Sequence, residues 1–189
     1  MLISLFTLIV GTICDLLALA FLSRFAMQWL RVPFRNPLGR FVLALTDWAV
    51  LPLRKVVPGL FGLDLASLLL AWLVQTLFMS VVIGASGVHG GATAAGFGVA
   101  MLSGLIETLR LAIYLAMGVI IMSAVLSWVN PHSPIAPLFN QLAEPMLRPF
   151  RRLIPPIGGV DLSPIAALLL LQAGLLMLRQ ASNLLLFGS

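Results

Sequence analysis

Four long apolar runs, separated by short polar or proline-punctuated segments, leave this chain few ways to fold. They cover roughly Leu2–Leu30, Leu65–Ala85, Val99–Trp128 and Leu162–Phe187. About 20 helical residues cross a hydrocarbon core of ~30 Å, so each run is long enough to span a bilayer. Lipid offers no hydrogen-bond partners, and a segment that satisfies its own backbone there is a helix. The first and third runs exceed what a span needs and are expected to tilt or to emerge at one end. Composition agrees: 61% of residues are hydrophobic, 9% are charged, and the mean hydropathy is +1.12. Soluble domains carry roughly 45–50% apolar and ~25% charged residues. The expected class is an all-α membrane protein with four transmembrane helices and no soluble domain of useful size. The N-terminal run MLISLFTLIVGTICDLL has no positively charged leader and no clear cleavage site, and it reads as a retained span.

The two proline-rich connections resemble one another at a constant offset of 97 residues, which pairs Pro37 with Pro134, Leu45 with Leu142, Asp47 with Glu144 and Pro52 with Pro149. The same offset pairs Arg54 with Arg151, Lys55 with Arg152, Pro58 with Pro155, Gly62 with Gly159, Asp64 with Asp161 and Gln75 with Gln172. Low-complexity hydrophobicity does not align prolines, glycines and charges without a gap. The chain therefore reads as two tandem copies of a span–basic loop–span unit, residues 1–85 and 99–189. A Gly-rich linker at 86–98 joins them, within the stretch GASGVHGGATAAGFG read as a flexible extramembrane loop. Two spans return the chain to its starting side, so the units are parallel, and a pseudo-two-fold axis along the membrane normal is expected.

Charge sets the orientation. Arg24, Arg31, Arg35, Arg40, Arg54, Lys55, Arg148, Arg151 and Arg152 fall in or beside the two equivalent loops, and only Arg110 and Arg179 belong to the other side. The positive-inside rule then places both basic loops in the cytoplasm and both termini outside, in a multi-pass protein of the cell's inner membrane. Within the loops, Leu38, Phe41, Val42, Leu45, Trp48 and Ala49, and likewise Ile135, Leu138, Phe139, Leu142, Met146 and Phe150, follow helical spacing. Such segments form amphipathic helices in the membrane interface, or pack as ordinary loops on their own spans. Pro145 is expected to kink or shorten the second one.

The segments NPLGRFVLALTDWAVLPLRKVVPGLFGLDLASLLL and SPIAPLFNQLAEPMLRPFRRLIPPIGGVDLSPIAALLLLQ resemble the YggT/YlmG family of bacterial and plastid membrane proteins. The core of the motif stands at Glu144 to Pro164. The first copy departs from it, with Trp48, Leu51 and Ser67 where the second has Pro145, Arg148 and Pro164. The resemblance covers essentially the whole chain and implies no enzymatic activity. It implies links to osmotic-stress tolerance and ion homeostasis, to cell division or nucleoid organisation, and in plastids to haem attachment during cytochrome assembly.

Few residues offer chemistry. No phosphate-loop, metalloprotease or nucleophile-elbow motif is present. His89, His132 and the single Cys14 have no metal-ligand spacing, so no metal and no cofactor is expected. Asp64 and Asp161 each precede a span and suit its N-terminal cap. Gly62 and Gly159 allow the turn, and Pro58 and Pro155 break the preceding helix. Arg54, Lys55, Glu144, Arg148, Arg151 and Arg152 suit docking of anionic headgroups or a protein, beside a purely topological role.

Inside the spans, Asp15, Glu107 and Arg110 are expected to form a compensated cluster, either an ion pair holding two spans together or a relay. Gln75 and Gln172 lie at equivalent depth and are expected to bond each other or backbone, or to line a polar pathway. The leading function is a non-enzymatic scaffold or assembly factor. Its partners are anionic lipid and an unidentified membrane or cytoplasmic protein, with homo-oligomers possible and no nucleic acid. The competing reading is a small oligomeric ion transporter or channel component.

Overall fold

A computed structural model describes residues 2–57, 59, 62–86, 93–130, 132–154 and 161–187. Among them six helices follow one another: α1 Leu2–Trp29, α2 Pro37–Arg54, α3 Leu65–Ser86, α4 Ala94–Val129, α5 Ala136–Leu153 and α6 Ser163–Phe187. Four of them, α1, α3, α4 and α6, are long and apolar enough to cross a membrane. The described chain is all-helical, as its composition requires.

The helix starts have local causes. Asn36 caps α2 by accepting the Gly39 N–H at 2.7 Å, and Pro37 follows at the first helical position, where its missing N–H is no loss. A Cβ at Gly39 would stand 2.8 Å from the Phe34 Cα, so only glycine lets the incoming chain cross this close. Thr93 caps α4 by accepting the Gly96 N–H at 3.3 Å. Helix α4 thus begins at Ala94, inside the stretch that the sequence suggests is loop, because this cap outweighs the low helix propensity of Gly96 and Gly98. Its 36 residues measure about 54 Å, well beyond one bilayer core.

Pro145 does not shorten α5, which runs on through Pro145 and Pro149 to Leu153. Both prolines lie on the exposed side of the helix, four residues apart, where the carbonyls they leave unpaired can reach solvent.

Packing runs in a row. Helix α1 packs on α2, α3 and α4; α3 packs closely on α4; and α4 packs on α5 and α6. A two-fold axis relating the halves would require α6 to pack on α1 as α3 packs on α4. Among the described residues no comparable contact joins α6 to α1, so the halves follow one another rather than closing symmetrically. The tight α3–α4 seam depends on Gly104, where an added Cβ would lie 2.7 Å from the Thr76 backbone nitrogen. One apolar core gathers Phe21, Leu22, Val50, Ala71 and Leu111 from α1, α2, α3 and α4. A second gathers Met27 of α1 with Ile120 of α4 and Leu138, Leu142 and Leu147 of α5.

The two short helices expose different faces. Helix α2 buries Val42, Thr46 and Val50 but leaves Phe41, Leu45, Trp48 and Leu51 exposed. Helix α5 buries Leu138, Leu142 and Leu147 and turns outward Gln141, Glu144, Arg148, Arg151 and Arg152.

Candidate functional site

The distinctive charges collect where each short helix meets the spans beside it. In the first half, Arg24 of α1 is only 2% exposed. Its Nη1 donates to Thr46 Oγ1 and to Asp47 Oδ1 of α2, both at 2.7 Å, and its Nε stands 3.5 Å from Asp64 Oδ2. Asp64, equally buried, also receives Arg54 through Nε at 3.1 Å and Nη2 at 2.6 Å. The Ser67 hydroxyl donates to Asp64 at 2.5 Å, and the Ser67 backbone N–H lies 3.4 Å from the same carboxylate, capping α3. Arg54 reaches back to α1 by donating to Gln28 Oε1 at 2.7 Å. Two guanidinium groups thus face two carboxylates, and α1, α2 and the start of α3 are tied together. Burial is costly for Arg24 and Asp64, and each faces an opposite charge here, whereas Asp47 and Arg54 keep contact with solvent. Burial alone would raise the Asp64 carboxyl; the bonds from Arg54 and Ser67 outweigh it and hold the group below the ordinary aspartate range.

The second half keeps the skeleton and loses the burial. Arg151 donates through Nε to Asp161 Oδ2 at 2.8 Å and through Nη1 to Glu144 Oε2. The three side chains are 38–54% exposed. Asp161 Oδ1 accepts the Ser163 N–H at 2.9 Å at the start of α6. Burial tends to raise the Asp161 carboxyl as well, yet Ser163 and Arg151 hold it below its ordinary value. At the position offset by 97 from Arg24 stands Ile121, so no second arginine enters. A cavity of about 310 Å³ opens beside these charges, edged by Ser123, Ser127, Asn140, Glu144, Arg151 and Asp161.

Within the spans, Glu107 and Arg110 pair along one face of α4. Asp15 does not join them by an ion pair; its carboxylate accepts Gln75 Nε2 of α3 at 2.8 Å. Gln75 is buried and bonded to Asp15 of α1, whereas Arg110 turns to its own helix neighbour. Gln172, exposed on α6, does not meet Gln75. Among the described residues no three His, Cys, Asp or Glu side chains gather to hold a metal ion.

The CCB3/YggT family model matches this chain in two segments, residues 3–85 and 102–181. The chain belongs to the CCB3/YggT family. An uncharacterised protein of Pseudomonas aeruginosa is 41% identical over 167 residues, covering 87% of this chain and 83% of its own length. YggT of Escherichia coli K12, also uncharacterised, is 34% identical over 166 residues, covering 87% and 84%. The chloroplastic YlmG homolog protein 2 of Arabidopsis thaliana is 44% identical over 57 residues, covering 29% of this chain and 22% of that one. No solved structure matches.

In this YggT-family chain the remaining loop cations divide by partner. Arg54 and Arg151 are held by carboxylates, whereas Lys55, Arg148 and Arg152 are exposed and make no ion pair among the described residues. Gly62 adopts φ +82°, the left-handed turn into α3 that favours glycine. Pro58, Pro155, Gly159 and His89 lie outside the described residues. Sequence reasoning grouped Arg24 with the loop cations and missed its buried role. The available signal was its place inside the first apolar run, six residues before that run ends, where a charge needs an internal partner.

Proposed function

We propose that this protein is a non-enzymatic membrane scaffold or assembly factor that docks a protein partner and anionic lipid headgroups through α5, with α2 seated in the membrane interface. The observation that carries this reading is the outer face of α5. Arg148 and Arg152 stand exposed there without ion pairs, while Arg151 between them is taken up by Glu144 and Asp161. Each basic side chain near an anionic surface contributes about 1 kcal/mol. The exposed apolar face of α2, Phe41, Leu45, Trp48 and Leu51, suits the depth at which aromatic rings favour a bilayer. The two helices thus divide the work of one amphipathic platform.

The tandem-unit organisation supports this reading. The two family-model segments are separated by residues 86–101, and the Arg54–Asp64 and Arg151–Asp161 bonds recur ten residues apart in each half. The nine-to-two distribution of basic residues supports an orientation with the basic segments cytoplasmic and both termini outside, in the inner membrane.

The test is photocrosslinking in native membranes from a probe replacing Leu153, an exposed residue next to Arg152. One defined protein adduct, lost when Arg148 and Arg152 are both changed to Ala while the protein stays in the membrane, supports docking. Adducts with lipid alone, or only with other copies of the chain, contradict it.

A transport reading draws on a separate polar cavity of about 310 Å³ between α4 and α6, edged by Arg110, Tyr114, Arg179, Ser182 and Asn183. Ion flux in reconstituted vesicles that Glu107→Gln abolishes would favour transport over docking.

A further inference from the structure

The two halves differ most at one place. In the first, the guanidinium of Arg24 lies between Asp47 and Asp64 and takes the Thr46 hydroxyl as well. Each carboxylate has an acidic counterpart 97 residues on, Glu144 and Asp161, and Arg54 has Arg151. The counterpart of Arg24 is Ile121, which is 44% exposed. One arginine therefore serves two carboxylates, leaving an excess of one negative charge. Beside these groups lies the 310 Å³ cavity, bordered by Ser123, Ser127, Asn140 and Trp128 in addition to the charged side chains.

We infer that this cavity between α4, α5 and α6 binds a single organic cation of the guanidinium or primary ammonium class, the group that Arg24 supplies internally in the first half. The lining matches that chemistry. Glu144, Asp161 and the Asn140 carbonyl are acceptors, and the only charged donor, Arg151, is already engaged by both carboxylates. The Ser123 hydroxyl is likewise spent on Asn140 Oδ1 at 2.7 Å, which fixes that side chain at the rim. Trp128 adds an aromatic wall of the kind that attracts organic cations. A monovalent cation cancels the excess charge, whereas a divalent metal would meet repulsion from Arg151. The volume lies at the lower end of ligand pockets, about 300–1,000 Å³, which suits a small cation or the amine end of a larger molecule. A soluble amine and the primary-amine headgroup of a membrane lipid both present this group.

The probe is methylguanidinium, titrated into the full chain in phosphatidylcholine nanodiscs, whose quaternary headgroup has no N–H to donate. Fluorine NMR of fluorotryptophan-labelled protein reports on the site, with the Trp128 resonance assigned by Trp128→Phe. A saturable shift of that resonance is expected, weakened about tenfold by Glu144→Gln, which removes the charged acceptor from a half-exposed position. Asn140→Asp adds a third carboxylate to Glu144 and Asp161 and is expected to tighten binding several-fold, a gain that misfolding cannot mimic.

Phosphatidylethanolamine nanodiscs separate the sources. A Trp128 resonance already displaced there, with methylguanidinium binding several-fold weaker, assigns the site to a lipid amine. Equal binding in both lipids assigns it to a soluble cation. Absence of a saturable shift in phosphatidylcholine, or a shift indifferent to both Glu144→Gln and Asn140→Asp, overturns the inference.

Discussion

The Nε of Arg24 lies 3.5 Å from Oδ2 of Asp64, with the two side chains only 3% and 1% exposed. Water reaches neither group, so each depends on the other and on the shared ring of Thr46, Asp47, Arg54 and Ser67. The corresponding ring of the second half is open to solvent, and this contrast governs how the two respond to substitution.

Arg24→Ala leaves the buried Asp64 with Arg54 as its remaining cation and the half-exposed Asp47 with none. Removing one partner of a buried pair costs up to about 3–5 kcal/mol, reduced here by the Arg54 bond that Asp64 keeps. Arg151→Ala leaves two carboxylates that water can solvate, and costs about 0–1 kcal/mol. Thermal unfolding of both variants in one detergent checks the difference. Equal losses would refute the asymmetry between the halves.

Asp64 also sets a response to acid. Its folded carboxyl titrates below the ordinary aspartate value, so its stabilising contribution is complete above the unfolded value of about 3.9 and disappears as pH falls through the lower folded value. Arg54→Gln removes the main hydrogen-bonding donor that depresses it. The stability difference between neutral and acid pH should therefore shrink in the variant, as read from unfolding midpoints over a pH series. An unchanged acid profile would show that Arg54 does not hold the carboxylate.

Gly104 has no room for a side chain. A Cβ there would lie 2.5 Å from Thr76 Oγ1 and 2.7 Å from the Thr76 Cα, so Gly104→Ala must push α3 and α4 apart. Overpacking of this kind costs about 1–3 kcal/mol. Gly118, also in α4, has open space at the same position, and Gly118→Ala should leave the unfolding midpoint unchanged or raise it.

Gln75→Leu removes the donor to Asp15 and strands a carboxyl within a span. Interhelical polar contacts in membranes contribute about 0.6–2 kcal/mol, and a loss of that size is expected in detergent unfolding. Gln172→Leu, on the exposed face of α6, should cost nothing measurable.

Much of this architecture is legible in the sequence. The spans are visible because about 20 apolar residues in a row have few other uses, and the predicted ends fall within a few residues of α1, α3 and α6. The start of α4 is not legible in the same way. Ala94 to Gly98 reads as loop by composition, and the Thr93 cap that makes it helical is a single side-chain bond. Pro145 misleads for a related reason, because its effect depends on which side of α5 faces solvent, and that side is set by packing on α4. The row of helices, with no α1–α6 packing comparable to α3–α4 among the described residues, is invisible to an argument from symmetry, since equal sequences can stack as well as close.

The site shows the same division. Arg54, Asp64, Arg151 and Asp161 stand out through their constant offset, and the structure joins each pair. Arg24 escapes notice because it has no counterpart in the second half, which is why the halves differ chemically. Asp15 shows the limit of depth matching: lying level with Arg110 does not make two groups partners when Gln75 of a neighbouring helix is closer.

The account rests on the outer face of α5 being covered by a partner in the cell, and thiol labelling measures that directly. With Cys14 changed to Ser, single cysteines introduced as Gln141→Cys and Leu153→Cys, both exposed on α5 beside the docking arginines, are labelled with a membrane-impermeant maleimide. Inverted native vesicles are compared with vesicles reconstituted from the purified protein and the lipids of the same membranes. The account predicts labelling from the cytoplasmic side only, and several-fold slower in native vesicles than in reconstituted ones. Equal rates in the two preparations, or labelling from the outside, would contradict it.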